Sequence, residues 1–189
     1  IEPGFQLFSL GASNSLIYRA SRDFTGTLSY TITSNQEQLQ NLNMQLPDSV
    51  QSFDISSLNT GLLYTRGYVQ DREGWVIRLN SELSGNVFAA SYPYERFNVD
   101  VRYYKPAPWK GGQLAFKVES GILLSPRAIN GLPRNIRFFL GGTSSVRGWN
   151  RQQLGPKEPI FDGNQFQRLV PVGGRSMMAV SVEFRQELP

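Results

Sequence analysis

The sequence contains no cysteine and no histidine. Without cysteine there is no disulfide framework, no thiolate nucleophile and no cysteine-based zinc site. Without histidine the commonest general base and the commonest zinc ligand are missing, and a Ser-His-Asp triad cannot be assembled. A metal would have to be held by oxygen atoms alone. Long apolar runs are also lacking. None exceeds four or five residues, whereas a membrane-spanning helix needs roughly 20. Charge of one sign is scarce too: 19 Lys and Arg face 15 Asp and Glu, a net +4. The basic residues form no run, so the clustered footprint of a nucleic-acid binder is missing. A length of 189 residues fits one ordinary domain or part of a larger one.

What the sequence has in abundance is alternation of period two. From Phe24 to Thr33, Phe24, Leu28, Tyr30 and Ile32 alternate with Thr and Ser. From Leu58 to Tyr68 the apolar side carries Leu58, Leu62, Tyr64 and Tyr68, interrupted by Arg66. Trp75, Ile77, Leu79 and Leu83 oppose Arg78, Asn80, Glu82 and Ser84. Phe97, Val99, Val101 and Tyr103 oppose Asn98, Asp100, Arg102 and Tyr104. Leu114, Phe116, Val118, Ile122 and Leu124 oppose Gln113, Lys117 and Glu119. Met178, Val180, Val182 and Phe184 oppose Ser181, Glu183 and Arg185. A further strand is expected within residues 4 to 20. These make about seven strands, most about ten residues long, the length a tilted strand needs to cross a bilayer. Gln36 to Asn43 is polar and reads as loop.

The connections alternate in length. Short ones fall at Ala20–Arg22, Asp71–Gly74 and Pro106–Gly111, and long ones at Ser34–Ser57, Asn86–Arg96 and Pro126–Gly174. Short turns at one end and long loops at the other suit an outer-membrane barrel. Pattern alone does not separate such a barrel from a soluble sandwich, because both alternate. Two details favour the barrel. Mixed charges sit mid-strand on the polar faces (Asp100 and Arg102, Lys117 and Glu119, Glu183 and Arg185), as a wet lumen tolerates. Aromatic residues gather near strand ends (Tyr18, Trp75, Tyr92, Tyr94, Tyr103, Trp109), as an interfacial girdle requires.

The long segment carries the most specific signal. It reads Arg137-Phe138-Phe139-Leu140-Gly141-Gly142-Thr143-Ser144-Ser145-Val146-Arg147-Gly148-Trp149, then Leu154-Gly155-Pro156, then Gly173-Gly174 and a strand from Met177 to Phe184. This order resembles the BamA/TamA-type outer-membrane protein assembly family, the surface antigen barrel, with Trp149 where Phe or Tyr is commoner. The resemblance implies an antiparallel transmembrane β-barrel of sixteen strands. The 189 residues would then be its middle part, and POTRA domains and the remaining strands would lie outside them. It implies that the loop at about 126–174 folds into the lumen through Val146, Arg147, Gly148 and Trp149. Gly141 and Gly142 would form its entry, and Glu183 would be the partner of Arg147 on the lumen wall. An Arg–carboxylate contact is charge-assisted and often bidentate, which suits a seating role.

The function implied is insertion of β-barrel proteins, or translocation of polypeptides, at the outer membrane of a Gram-negative cell rather than an organelle. The partners are outer-membrane lipids, substrate outer-membrane or secreted polypeptides and accessory assembly subunits, with no nucleic acid. No catalysis, cofactor or metal is called for. A two-partner-secretion export pore of the same superfamily and a soluble all-β binding module are the alternatives. Gly173-Gly174-Arg175 reads as a turn before a strand rather than a phosphate loop. Asp100, Glu119 and Glu183 read as ion-paired lumen residues rather than paired catalytic carboxylates. Lys110, Arg134, Arg137 and Arg151 read as solvated cations or lipid head-group contacts.

Overall fold

The computed structural model describes residues 5–39, 50–67, 73–85, 90–143, 145–162 and 164–186. Seven strands form one antiparallel sheet: β1 (Phe5–Arg19), β2 (Phe24–Leu39), β3 (Val50–Arg66), β4 (Gly74–Ser84), β5 (Tyr94–Pro106), β6 (Gly112–Leu124) and β9 (Ser176–Gln186). Each strand pairs with the next along the chain until β6, whose far neighbour is β9; β1 and β9 are the two edges. Between β6 and β9 lie a single 3-10 turn (Ile129–Gly131) and a separate hairpin, β7 (Lys157–Asp162) and β8 (Gln165–Pro171). Among the described residues no helix is long and apolar enough to cross a membrane.

The register explains the alternation. Leu62, Leu79 and Val99 lie side by side across β3, β4 and β5, and Val101, Val118 and Val180 across β5, β6 and β9. Because side chains alternate between faces, every strand delivers its apolar set to the same side. This outer face is a continuous exposed surface of Leu, Val, Ile, Phe and Met. Along β4 it runs from Trp75 to Leu83, roughly 26 Å of strand at about 3.3 Å per residue. That is the order of the roughly 25 Å apolar band of a transmembrane barrel. The opposite, inner face carries Arg78, Asp100, Arg102, Lys117, Glu119, Glu183 and Arg185 and meets the long loop.

Several expectations are corrected. The connection read as Ser34–Ser57 is mostly strand: β2 continues to Leu39 and β3 starts at Val50. Residues 36–39, read as loop, therefore belong to β2, and 40–43 lie outside the described residues, as does Tyr68. On this extension the outward side chains are Ser34, Gln36, Ser52 and Asp54. Here the alternation is polar against mixed, so the apolar signal vanishes while the pairing persists. Of the six aromatic residues named for a girdle, Tyr18, Trp75, Tyr103 and Trp109 stand at the short-turn end, and Tyr18, Trp75 and Trp109 are exposed there. Trp75 stacks on Tyr103 (4.4 Å), Tyr103 lies 6.3 Å from Phe116, and Trp109 lies 5.3 Å from Phe184. Tyr92 and Tyr94 instead pack inside, under the loop. Tyr94 has the opposite parity to the outward Phe97, Val99 and Val101, and so shares the inward side of β5 with Asn98, Asp100 and Arg102.

Candidate functional site

The loop from Ser125 to Arg175 folds back as an irregular hairpin. Its neck is closed by Phe138 and Gly174, which exchange two backbone bonds (Phe138 N–H to Gly174 O, 3.0 Å; Gly174 N–H to Phe138 O, 2.8 Å). One step further Leu154 N–H donates to Leu140 O (3.1 Å). The described residues of 141–153 form the tip. Gly141, Gly142 and Gly148 all have positive φ (108°, 103° and 92°). At Gly141 the requirement is double, because an added Cβ would also stand 2.5 Å from the Asn150 carbonyl oxygen.

The tip reaches the inner face at β9. Arg147 donates from Nη2 to Glu183 Oε1 at 2.8 Å. The sequence therefore named a pair that the fold brings together, across 36 residues. The contact is a single bond rather than the fork expected of Arg and carboxylate. The second oxygen of Glu183 is already taken by Arg185, through Nη2 (3.0 Å) and Nε (3.3 Å). Val146 is half-buried, and Trp149 is exposed beside Lys157, whose ammonium sits 5.6 Å from the ring centre.

A second anchor lies higher on the same face and was not singled out by the sequence. Phe138 is 4 % exposed and joins Leu132 and Ile136 of the loop to Phe53, Ile55, Tyr94 and Leu123 of the sheet. Its ring rests on Gly121 of β6: a Cβ there would come within 2.6 Å of two ring carbons and 2.7 Å of Asn98 Oδ1. The Arg96 guanidinium lies over the ring, 4.6 Å from its centroid. Arg96 pairs with Glu82 (4.0 Å), and Tyr94 donates its hydroxyl to Glu82 Oε1 (2.6 Å). A glycine within a strand marks a close approach, and that is the signal by which Gly121 could have been found.

Arginines complete the clamp. Arg137 donates Nε and Nη2 to Leu132 O, Nη1 to Val172 O and Nη2 to Asn130 O. Arg134 donates to Pro171 O (2.7 Å) and stacks 4.9 Å over Phe139. Arg175 donates to the Ser125 and Arg127 carbonyls. Arg134 and Arg137 thus hold the loop's own backbone, which corrects their reading as solvated or lipid-bound cations. Gly173-Gly174-Arg175 is the expected turn before β9. The carboxylates sit among cations: Asp100 receives both Arg102 Nε (2.8 Å) and Nη2 (2.9 Å), and Lys117 reaches Glu119 at 2.7 Å.

Magnitudes rank the anchors. Arg147 is 71 % exposed and Glu183 28 %, and such exposed pairs contribute about 0–1 kcal/mol. Burying a phenylalanine in a packed site is worth about 1.5–3 kcal/mol from transfer alone. Charged donors to backbone carbonyls add about 1.5–3 kcal/mol each. The Phe138 plug and the Arg137 clamp hold the loop; the Arg147 contact fixes where its tip lies.

The hairpin β7–β8 was absent from the sequence reading, which took 126–174 as one irregular loop. In the sequence, the dipeptide Gly163-Asn164 between two short runs is the hairpin signal. The family model described as the Omp85 superfamily domain matches residues 4–189. No curated protein matches the chain.

Proposed function

Since the chain belongs to the Omp85 superfamily of outer-membrane β-barrel proteins, whose roles are in outer-membrane protein insertion or secretion, we propose that it is the middle of a barrel that inserts other β-barrel proteins into that membrane. It works without covalent chemistry. Seven strands would form part of a larger wall, because unpaired backbone groups at the edges of β1 and β9 would cost several kcal/mol each in hydrocarbon. Further strands, periplasmic POTRA domains on the short-turn side and accessory subunits complete this picture.

The observation that supports it most directly is the loop tip docked on the inner wall, Arg147 to Glu183 at 2.8 Å. A seated loop keeps the interior occupied and ties β9 to the rest of the fold. The test is complementation of cells depleted of the full-length protein. Arg147→Ala is expected to lower the amount of folded, heat-modifiable barrel proteins while its own level stays normal. Arg147→Lys restores most of the function, because only one N–H is used and the second Glu183 oxygen belongs to Arg185. Wild-type assembly by Arg147→Ala would overturn the seating role. Loss of one dedicated secreted polypeptide with normal barrel assembly would replace insertion with export.

A further inference from the structure

The outer face carries little charge, and what it carries is sorted by end. Among the described residues of the seven strands, the register sets four charged side chains on it. Arg66 and Lys105 stand at the short-turn end, Asp54 and Glu95 at the long-loop end. All four are exposed. The ion pairs among the described residues lie on the inner face and at the loop tip, and neither Arg66 nor Lys105 enters one.

The two cations flank an aromatic pair. Arg66 is the register partner of Trp75, and Trp75 that of Tyr103. Lys105 stands two residues beyond Tyr103 on the same side of β5. The rings of Trp75 and Tyr103 stack at 4.4 Å, 28° from parallel. Glu73, just before β4, accepts the Tyr103 hydroxyl at 3.1 Å, which fixes the ring and engages the carboxylate.

We propose that Arg66 and Lys105, with the Trp75–Tyr103 pair between them, form a site for the head group of an anionic phospholipid in the leaflet at the short-turn end. Strands β3 and β5 are two strand spacings apart, about 10 Å, and both side chains are long enough to converge on a phosphate placed between them. The arginine fork offers parallel donors to two phosphate oxygens, and the lysine a compact point charge. Their aliphatic stems lie along the apolar band while their charged heads reach the interface. The rings sit at head-group depth, where an apolar body meets the acyl chains and a polar tip meets water. A zwitterionic head group brings its own cation, which Arg66 and Lys105 repel. At the other end of the band Asp54 and Glu95 repel the phosphate itself, so the outer face distinguishes the two leaflets by charge. Such a site requires only that the sheet stand in a membrane, whatever the barrel handles.

The test uses the full-length protein in detergent and two probes, phosphatidylglycerol and phosphatidylcholine, each with a photo-activatable group beside its glycerol. Adducts are mapped by mass spectrometry across a lipid titration, and heat-modifiability checks that each variant has folded. Phosphatidylglycerol adducts are expected on Trp75 and Tyr103 and not on Leu83 or Leu124 at the other end of the band. One cation near an anionic lipid surface is worth about fivefold in binding. Arg66→Gln combined with Lys105→Gln is therefore expected to weaken phosphatidylglycerol labelling of Trp75 by about 25-fold and to leave phosphatidylcholine labelling unchanged. Arg66→Lys combined with Lys105→Arg keeps both charges and is expected to retain most of the labelling. Phosphatidylglycerol adducts spread equally over both ends of the band would overturn the site. A double glutamine variant that labels as the wild type does would also overturn it, leaving the two cations merely solvated. Equal loss of phosphatidylcholine labelling would overturn recognition by charge. Displacement of phosphatidylglycerol from Trp75 by an equal amount of lipid A would overturn the phospholipid as occupant.

Discussion

Phe138→Ala is the change most able to separate the two anchors of the loop. Phe138 is 4 % exposed, touches the sheet cluster of Phe53, Ile55, Tyr94 and Leu123, and fills the notch over Gly121 beneath Arg96. Phe-to-Ala changes in packed sites cost about 3–5 kcal/mol, through lost transfer energy and the cavity left behind. The stacked guanidinium adds about 0.5–2 kcal/mol to what is lost. The Arg147 contact, mostly exposed, stands at about 1 kcal/mol or less. Every 1.4 kcal/mol is tenfold in an equilibrium, so Phe138→Ala opens the neck roughly 2.5 to 5 orders of magnitude more often. Arg147→Ala changes it by about fivefold at most. The assay is hydrogen exchange of the Phe138, Gly174 and Leu154 amides, which close the neck, in the full-length protein in nanodiscs. Heat-modifiability of the same samples checks that the barrel itself has folded. Exchange that rises less than tenfold in Phe138→Ala, or rises more in Arg147→Ala, would refute the ranking of the anchors.

Gly121→Ala drives a methyl into the Phe138 ring at 2.6 Å; a loss of about 1–3 kcal/mol is expected from overpacking. Combined with Phe138→Leu the loss should be smaller than the sum, because the residues touch; chemical-denaturation midpoints measure both. Tyr94→Phe removes the 2.6 Å hydroxyl bond to Glu82 and should cost about 1–3 kcal/mol, read as a lower temperature of heat-modification. Leu79→Arg puts a charge mid-band on the outer face and should cost about 2–4 kcal/mol in bilayer refolding, whereas Asn80→Arg, one residue along on the inner face, should cost little. Equal costs at 79 and 80 would overturn the assignment of faces.

Much of the fold was legible because strand alternation is a local property. Whichever way β4 or β9 pairs, Leu79 and Val180 must share a side with their apolar neighbours and Arg78 and Glu183 must take the other. The apolar band, the seven strands of the sheet and the side of the wall on which Glu183 stands all follow. The loop motif was legible for another reason: its glycines and arginine, read in order along the chain, resemble a family pattern. What failed had no local signature. On β2 beyond Thr33 both faces are polar, so the strand continued where its pattern had ended. Tyr92 lies before β5, where no alternation assigns it a face, and only what covers it separates core from girdle; Tyr94 was marked as inward by its parity with Asn98 and Asp100.

The sequence by itself determined which residues face which way; that Glu183 is the partner of Arg147 was implied by the family resemblance. Periodicity and charge belong to residues near in sequence or alike in chemistry. The tertiary structure decided which contacts carry the energy. Phe138 meets Gly121, Arg137 meets the Val172 carbonyl and Arg96 covers the Phe138 ring. Each depends on a loop that must first be brought back over the sheet. The same return buries Phe53 and Ile55 of β3 under Leu132 and Ile136, and no periodicity along the chain encodes which part of a wall a loop will cover.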